Sequence, residues 1–403
     1  MTSATFFFWF IFVFLPVLTA LFVGIVVYLT IQEMKSLKRT VSFFGREILT
    51  DPLLGREKEL RRLANKILTG QSSAIIGAFD RDRTAILNYL QKPDDPGMLY
   101  GNQADKLIFS YVDVSTLKID CTLPEFWERT LKPLQEKIAN DKKAFSLQKV
   151  YQDCQDHQFD NYYLGKLFEQ LQQEGLRLVL MLDRYEKLLR LPLSKHPEFG
   201  AGLRSLAASR TPSSFILIIS GGITINKFHK TVWHEMGWGS PWFNFIEGSV
   251  VTLSTLSEAE IDDLLRRSVP PFTQQEEARN FVKEMAGGHP YFLQLAAGIL
   301  SEAYENKETN PVESAQKTFY ERTKGMLDSI LQSWSPTTCR AFLALVNGED
   351  YSNFNRELGE LEKQGFVSKT EDGKWQVRAK VFSQFVKENQ PRCPEVQPHS
   401  LSP

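Results

Sequence analysis

One segment of this 403-residue sequence carries side chains suited to binding a phosphate group. Residues 77–84 read GAFDRDRT, which has the length of the phosphate-binding pattern G-x-x-x-x-G-K-[ST]. That chemistry needs backbone N–H groups around the phosphate, a cation at the terminal phosphates and a hydroxyl group on magnesium. Gly77, Arg83 and Thr84 supply groups of these kinds. Asp82 replaces the second glycine, and its negative charge opposes phosphate binding.

A second segment ends in an acidic side chain that is suited to holding magnesium. Residues 176–182 (LRLVLML) predict a buried strand, and Asp183 follows directly. A strand that delivers an aspartate at its end is how a Walker-B carboxylate reaches Mg²⁺. Arg184 stands where many such hydrolases carry a glutamate that orients water, and Glu186 lies two residues on. We therefore predict Thr84 and Asp183 as magnesium ligands and Asp183 and Glu186 as weak catalytic candidates; the alternative is a buried strand with a polar end.

Short apolar segments alternate with amphipathic ones over the first half of the chain after residue 55. Strands are predicted at 73–76, 107–114, 176–182 and 215–220, and helices at 56–68, 84–90, 126–138 and 163–173. Strands that are almost continuously apolar are typical of a parallel sheet covered on both faces. The predicted fold class is therefore α/β with a parallel sheet, and both chemical segments follow strands of that sheet.

The C-terminal half is predicted to form helices and one hairpin. Residues 257–306 read as helical, and Gly287-Gly288-His289-Pro290 opens a helix with proline in its first turn. Residues 335–389 give a helix, a second helix, a hairpin and a last helix, which is the winged-helix order. The candidate recognition helix is rich in glutamate, a poor match to DNA phosphates. We therefore expect this module to pack against the rest of the chain, and nucleic-acid binding is not expected.

The order of these segments resembles a known family. A GRE motif at 55–57, the loop at 77–84, LDRYE at 182–186, FILIIS at 215–220 and GGHP at 287–290 follow one another. In this order the chain resembles the STAND branch of AAA-like P-loop NTPases, in particular prokaryotic ATP-binding proteins with a GRE…GGHP layout, over residues 52–388. The resemblance implies binding of ATP or ADP with Mg²⁺. The residues it assigns to nucleotide and metal are Gly55, Arg56, Gly77, Asp82, Arg83, Thr84, Asp183, His289 and Pro290.

The N-terminal segment is predicted to be a membrane anchor. Residues 6–31 are apolar with few interruptions, no charged residue precedes Glu33, and a helix of this length rises roughly 39 Å against about 30 Å of hydrocarbon. A cleaved signal peptide would need a basic start and a small-residue cleavage site, which are missing here. The basic side chains that follow favour an outside N-terminus and cytoplasmic C-terminal domains; they are Lys35, Lys38, Arg39 and Arg46.

Composition narrows the remaining possibilities. The chain has 47 basic and 48 acidic residues, a balance that argues against a general nucleic-acid binder. Its four cysteines form no CxxC pair, so we expect reduced thiols and neither a zinc site nor a disulfide framework. His229 and His234 are predicted to be loop residues, since the HExxH-like start at His234 lacks its second histidine. The aromatic stretch 233–245 is predicted to be a packed connector, or alternatively a partner or membrane-proximal surface.

Together these features predict six regions and one leading hypothesis. The regions are an anchor at 1–32, a juxtamembrane linker at 33–51, a P-loop NTPase-like α/β domain at 52–255, a helical lid at 256–310, a winged helix at 311–390 and a flexible tail at 391–403. The leading hypothesis is a membrane-anchored, STAND-like ATP-binding switch or scaffold with weak or no hydrolysis. It would signal through lid and winged-helix rearrangement, or through a protein partner or self-association. The alternatives are a nucleotide-free pseudo-ATPase acting as a tethered interaction module and a tethered DNA-binding regulator.

Overall fold

The computed structural model describes residue 53 and residues 55–139, 144–208, 213–222, 224–236, 242–267 and 275–394. The predicted anchor at 1–32, the linker at 33–51 and the tail from residue 395 lie outside the described residues, as do the side chains of 233–241. Across the described ranges, no helix is long and apolar enough to cross a membrane.

A five-stranded parallel sheet forms the centre of the first half of the chain. The strands of this sheet are β1 (Ser73–Ile76), β2 (Leu107–Asp113), β3 (Arg177–Asp183), β4 (Phe215–Gly221) and β5 (Val250–Thr252). Their order is β2-β3-β4-β1-β5, and every neighbouring pair is parallel. The predicted α/β parallel-sheet class is therefore confirmed.

Helices cover both faces of this sheet because alternate strand residues point to opposite faces. The helices of this part are α1 (Glu57–Leu68), α2 (Asp80–Gln91), α3 (Pro96–Tyr100), α4 (Leu123–Ala139), α5 (Phe145–Asp156), α6 (Asn161–Gln173), α7 (Pro197–Ala208) and α8 (Ile225–Met236). Leu178, Leu180 and Leu182 of β3 enter one buried cluster, and Val179 and Met181 enter the other. The strand ends beyond these apolar residues are left to carry polar side chains.

In the described residues from 258 onward, the regular structure is helical apart from one hairpin. Its helices are α9 (Glu258–Arg267), α10 (Glu276–Ala286), α11 (Pro290–Glu305), α12 (Pro311–Ser333), α13 (Pro336–Asn347), α14 (Asn355–Lys363) and α15 (Lys380–Asn389), and the hairpin pairs β6 (Val367–Lys369) with β7 (Trp375–Val377). One continuous apolar core joins these helices, the hairpin and Phe79, which follows β1. The ring centroids of Phe292 on α11 and Phe382 on α15 lie 6.0 Å apart within it. The helical part and the C-terminal part are thus packed as one body.

The structure corrects three expectations about local structure. Helix α2 begins at Asp80 rather than at Thr84, so only residues 77–79 remain as a loop. Asp82 carries a Cβ atom and has a helical backbone, where a phosphate-binding loop with glycine would continue. His229 and His234 lie on helix α8 and not on a loop. Five helices that the sequence did not predict are α3, α5, α7, α8 and α12.

The prediction of four separate thiols is also wrong for one pair. Cys339 on α13 and Cys393 after α15 form a disulfide bond with Cα atoms 5.6 Å apart, whereas Cys121 and Cys154 are free and buried. The two bonded residues are 54 positions apart in sequence. Their proximity arises because the chain returns past the end of α12 after α15, where the Gln332 side chain donates to the Arg392 carbonyl at 3.1 Å. Sequence spacing alone does not reveal such a return.

Candidate functional site

The two predicted magnesium ligands meet at the carboxyl edge of the sheet. Thr84 Oγ1 donates a hydrogen bond to Asp183 Oδ2 at 2.6 Å, although the residues are 99 positions apart. Thr84 is placed by the first turns of α2, which follows β1, and Asp183 ends β3. Strand β4 lies between β1 and β3, and Ser220, one residue before its end, is in register with Asp183. Because all strands are parallel, their carboxyl ends bring these side chains to one place.

Asp183 is fully buried and accepts hydrogen bonds from four protein donors. Besides Thr84, the donors are the Tyr111 hydroxyl at 3.0 Å, the Ser220 hydroxyl at 2.9 Å and the Arg184 backbone N–H at 3.0 Å. A buried carboxylate needs such donors, because an unpaired charge in the interior is costly. The same donors occupy the oxygens that a cation would need. Coordination of Mg²⁺ by Oδ2 would require the Thr84 and Tyr111 hydroxyl groups to give up their hydrogen bonds to this oxygen.

The Arg83 side chain binds other residues of the shortened loop and of the first turn of α2. It is fully buried, donates to the backbone carbonyl of Gly77 and forms an ion pair with Asp80. A Cβ atom added to Gly222 would lie 3.9 Å from Arg83 Nη1 and 4.0 Å from the Gly77 oxygen, so the guanidinium group fills the space between the ends of β1 and β4. In a phosphate-binding loop this cation faces the ligand. In this structure the Arg83 guanidinium group instead binds the Gly77 carbonyl and the Asp80 carboxylate.

Arg184 connects the loop to a third strand. It has a left-handed backbone with φ of 55°, donates from Nε to Asp80 at 2.9 Å and pairs through Nη1 with Asp113 at the end of β2. Burial alone would raise the pKa of Asp113, but hydrogen bonds from Ser115 and Arg184 hold this pKa below its usual value. Asp80 likewise has a lowered pKa, since the charges of Arg83 and Arg184 outweigh its burial. The position expected to orient water therefore holds a cation tied to two carboxylates.

Glu186, the second catalytic candidate, faces the interior. Its Oε2 atom is buried and has no hydrogen-bond partner among the described residues, and a Cβ atom on Gly221 would collide with it. Burial raises the pKa of Glu186, and the nearby charge of Arg83 only partly offsets this effect. The Glu186 carboxyl group is therefore not placed to orient a water molecule at the edge of the sheet.

Four of the residues that the resemblance assigns to the nucleotide line a narrow cleft: Arg56, Gly77, Asp82 and His289. Arg56 and Asp82 are buried and lie 3.7 Å apart between Nη2 and Oδ2, and the His289 ring centroid is 5.0 Å from that of Phe79. The cleft is too narrow for a water molecule. Pockets that bind small molecules, by contrast, usually hold about 300–1,000 Å³. Burial also raises the pKa of Asp82, despite the neighbouring Arg56 charge.

Two of the remaining predicted residues position the cleft and do not line it. Gly55 has φ of +71°, and a Cβ atom there would lie 2.5 Å from the Leu256 side chain. Pro290 begins α11 directly after His289. The start of α1 and the GGHP turn are therefore brought together through Leu256, whose N–H donates to the Gly288 carbonyl.

His289 makes folding sensitive to acid. Burial, with the charges of Arg56 and Arg378, lowers the pKa of His289 to about 3. Because the unfolded value is about 6.5, the unfolded chain binds more protons between these values, and stability present above pH 6.5 is lost as pH falls. We expect this histidine to lower the free energy of unfolding by about 2 kcal/mol between pH 7 and pH 5. Urea denaturation at both pH values measures this loss; His289→Asn should reduce the pH dependence, and an unchanged slope would contradict the assignment.

Sequence reasoning missed several residues of this site. Ser220, Tyr111, Asp113 and Asp80 all contact predicted residues, but none was proposed. A usable signal was present for two of them, since Asp113 is the last residue of its strand and Ser220 the second to last, close to where Asp183 ends β3. The roles of Tyr111 and Asp80 depend on side-chain direction, which no sequence pattern indicates.

The arrangement can be compared with known proteins. No protein family and no curated protein matches this sequence. The structure resembles a Walker-type ATPase of Pyrococcus abyssi with a TM-score of 0.54 and 15% identity, covering 83% of this chain and 96% of that one. The ORC2 protein of Aeropyrum pernix in ADPNP–ADP complexes gives 0.46 and 12% identity over 83% and 94%, and Drosophila ORC bound to DNA gives 0.43 and 12% over 87% and 90%. The likeness to the Pyrococcus protein confirms a P-loop ATPase-like fold.

Proposed function

We propose that this chain is a membrane-tethered scaffold built on a P-loop ATPase fold, in which internal ion pairs replace the nucleotide cradle. The observation that carries this proposal is the buried Arg83, bound to the Gly77 carbonyl and to Asp80. Of the three hypotheses raised by the sequence, it supports the nucleotide-free interaction module. STAND membership, the winged-helix identity of the C-terminal part and the tether remain part of the proposal.

Each group that triphosphate binding would require is already used. The loop is only three residues long before α2 begins, so few backbone N–H groups curl around a central space. The cation points to protein oxygens, and the buried aspartate has four donors. This arrangement suits a scaffold, because the internal hydrogen bonds and ion pairs hold the ends of β1, β2, β3 and β4 together without a ligand.

The second candidate is an ATP-binding switch with weak or no hydrolysis. It is favoured by the 2.6 Å contact between Thr84 and Asp183, which puts a hydroxyl group and a carboxylate where one Mg²⁺ ion could bind both. Binding would pull Arg83 away from Gly77 and Asp80 and loosen the loop that carries Phe79. Phe79 packs against Phe292 at 4.9 Å, so the helical part would respond.

Thermal melting with nucleotide distinguishes the two candidates. The full chain in detergent is heated with and without millimolar ATP and Mg²⁺, and the scaffold proposal predicts no shift of the melting temperature. A ligand at 100 times its Kd would stabilise the folded state by about 2.7 kcal/mol, which is easily measured. A shift that disappears in Thr84→Val would overturn the scaffold proposal and establish the switch. ADP serves as a second ligand in the same assay.

The partner of such a scaffold is proposed to be another protein or a second copy of the chain. Nucleic acid is not proposed, because α14 carries Glu357, Glu360 and Glu362, and its Arg356 is within 3.8 Å of Glu360. Helix α14 is therefore an acidic surface that repels phosphate backbones.

The basic residues after the predicted anchor favour the cytoplasm for the C-terminal part, and this orientation remains part of the proposal. The Cys339–Cys393 disulfide is tested separately, because disulfides are rare in the cytosol. Cells quenched in acid and denatured with a maleimide–polyethylene glycol should show two labelled cysteines, Cys121 and Cys154. Four labelled cysteines in cells would contradict the disulfide.

A further inference from the structure

An open groove crosses the helical half of the molecule on a surface that the nucleotide-type site does not use. It holds about 440 Å³ and runs along α10, between the start of α12 and the start of α15. Phe281, Met285 and Val312 supply its apolar lining. Phe281 and Met285 also belong to the apolar core, so the floor of the groove is firmly held.

The rim of this groove is acidic. Glu276, Glu277 and Glu284 line it, and Lys380 is the one cation among the described residues of its lining. Lys380 lies 3.4 Å from Glu284, which leaves two carboxylates on the first turn of α10. An apolar floor with an acidic rim matches a helix that has an apolar stripe and basic flanks.

The chain enters the described structure close to this groove. Gly55 contacts Leu256, whose N–H donates to the Gly288 carbonyl at 2.8 Å. A Cβ atom on the adjacent Gly287 would lie 2.5 Å from the backbone N of Ala379, which precedes Lys380 of the groove. The segment before residue 53 therefore starts within reach, since even ten extended residues span roughly 33 Å.

That segment has the sequence pattern that the groove fits. Leu37, Val41, Phe44 and Ile48 are spaced by four, three and four positions, so a helix would place them in one stripe. Between and beside them lie Lys35, Lys38, Arg39 and Arg46, and residues 35–46 include no acidic side chain. The stripe would extend about 17 Å, close to the roughly 14 Å rise of α10 from Glu276 to Met285.

We propose that residues 35–48 of this chain dock as a basic amphipathic helix in the groove along α10. Docking would hold the folded part at the membrane surface, because residue 35 follows the predicted anchor. This inference does not depend on whether the other site binds nucleotide.

Photocrosslinking tests the proposal in the full chain reconstituted in nanodiscs. Asn280 lines the groove and is exposed, so it can be replaced by benzoylphenylalanine. We expect crosslinked peptides from residues 35–48, and a mixture of isotope-labelled and unlabelled chains should show that both halves come from one copy. Crosslinks to lipid, to a second copy or to no peptide of residues 35–48 would overturn the proposal.

Matched variants separate specific docking from chance contact. Phe44→Asp should lower the crosslink yield about tenfold, whereas Phe43→Asp, which lies off the stripe, should leave it nearly unchanged. The pair Glu276→Lys and Glu277→Lys should also lower the yield, and adding Lys38→Glu and Arg39→Glu should restore it. Equal losses for Phe43→Asp and Phe44→Asp, or no rescue by the charge swap, would contradict a helix held in this register.

Discussion

Arg83→Ala is expected to destabilise the folded chain by about 3 kcal/mol. The loss arises because the Gly77 carbonyl and the carboxyl group of Glu186 lose a buried cation, and because a cavity opens between β1 and β4. We place the effect at the low end for a broken buried ion pair, since Asp80 is half exposed and keeps Arg184 as a partner. Urea denaturation of the full chain in detergent measures this change.

The neighbouring Arg81 provides a matched control. Arg81 is exposed on the same turn of α2 and lies 5.4 Å from the ring of Tyr291. Arg81→Ala should therefore cost less than about 1 kcal/mol. If Arg83→Ala is as stable as Arg81→Ala, the internal ion pair does not hold the loop. In that case Arg83 would be free to act on a ligand, and the switch hypothesis would gain support.

The sheet was predictable from sequence because its signal is local. Nearly every residue of 178–182 and 215–219 is apolar, and each run ends in a polar residue, so strand bounds and direction could be read directly. The parallel arrangement then required Thr84 and Asp183 to approach one another at the carboxyl edge. The 2.6 Å contact between them confirms that step of the reasoning.

The length of the loop after β1 and the direction of its basic side chain were not predictable from the sequence. The pattern at 77–84 fixes which residue types are present, but a basic side chain can point to a ligand or back to its own carbonyls. The direction of the Arg83 side chain depends on Asp80 and Arg184. Arg184 follows a strand that lies about 100 residues later in the sequence. The prediction of a longer loop failed for the same reason, since Asp82 continues the helix and pairs with Arg56.

Long-range pairing also explains the missed disulfide and the missed helices. Cys339 meets Cys393 only because the segment after α15 turns back. Helix α7 contains Gly200 and Gly202, which weaken a helical pattern in sequence. In the structure these glycines make room for Trp242 and Asn161, whose side chains would collide with a Cβ atom. Tertiary packing therefore stabilises a helix that local propensity does not predict.

Asp183 is expected to be the largest single contributor to stability at the sheet edge. Asp183→Ala leaves the hydroxyl groups of Thr84, Tyr111 and Ser220 and the N–H of Arg184 without their acceptor. Each hydrogen bond to a charged group is worth about 1.5–3 kcal/mol, and partial relaxation recovers some of the loss. We therefore expect a total cost of about 5 kcal/mol, measured by urea denaturation of the full chain.

The conservative variant makes this prediction specific to the carboxylate. Asp183→Asn keeps one oxygen for Ser220 and Arg184, and the hydroxyl groups of Thr84 and Tyr111 can rotate to accept from the new amide, so its cost should be about 2 kcal/mol. If the function of the Asp183 carboxylate were to bind Mg²⁺, the stabilities would compare differently. Asp183→Asn would then be as stable as the wild type and would lose only a magnesium-dependent response. Wild-type stability in Asp183→Asn would therefore contradict the structural role assigned to Asp183. It would instead support a role of this carboxylate in binding Mg²⁺.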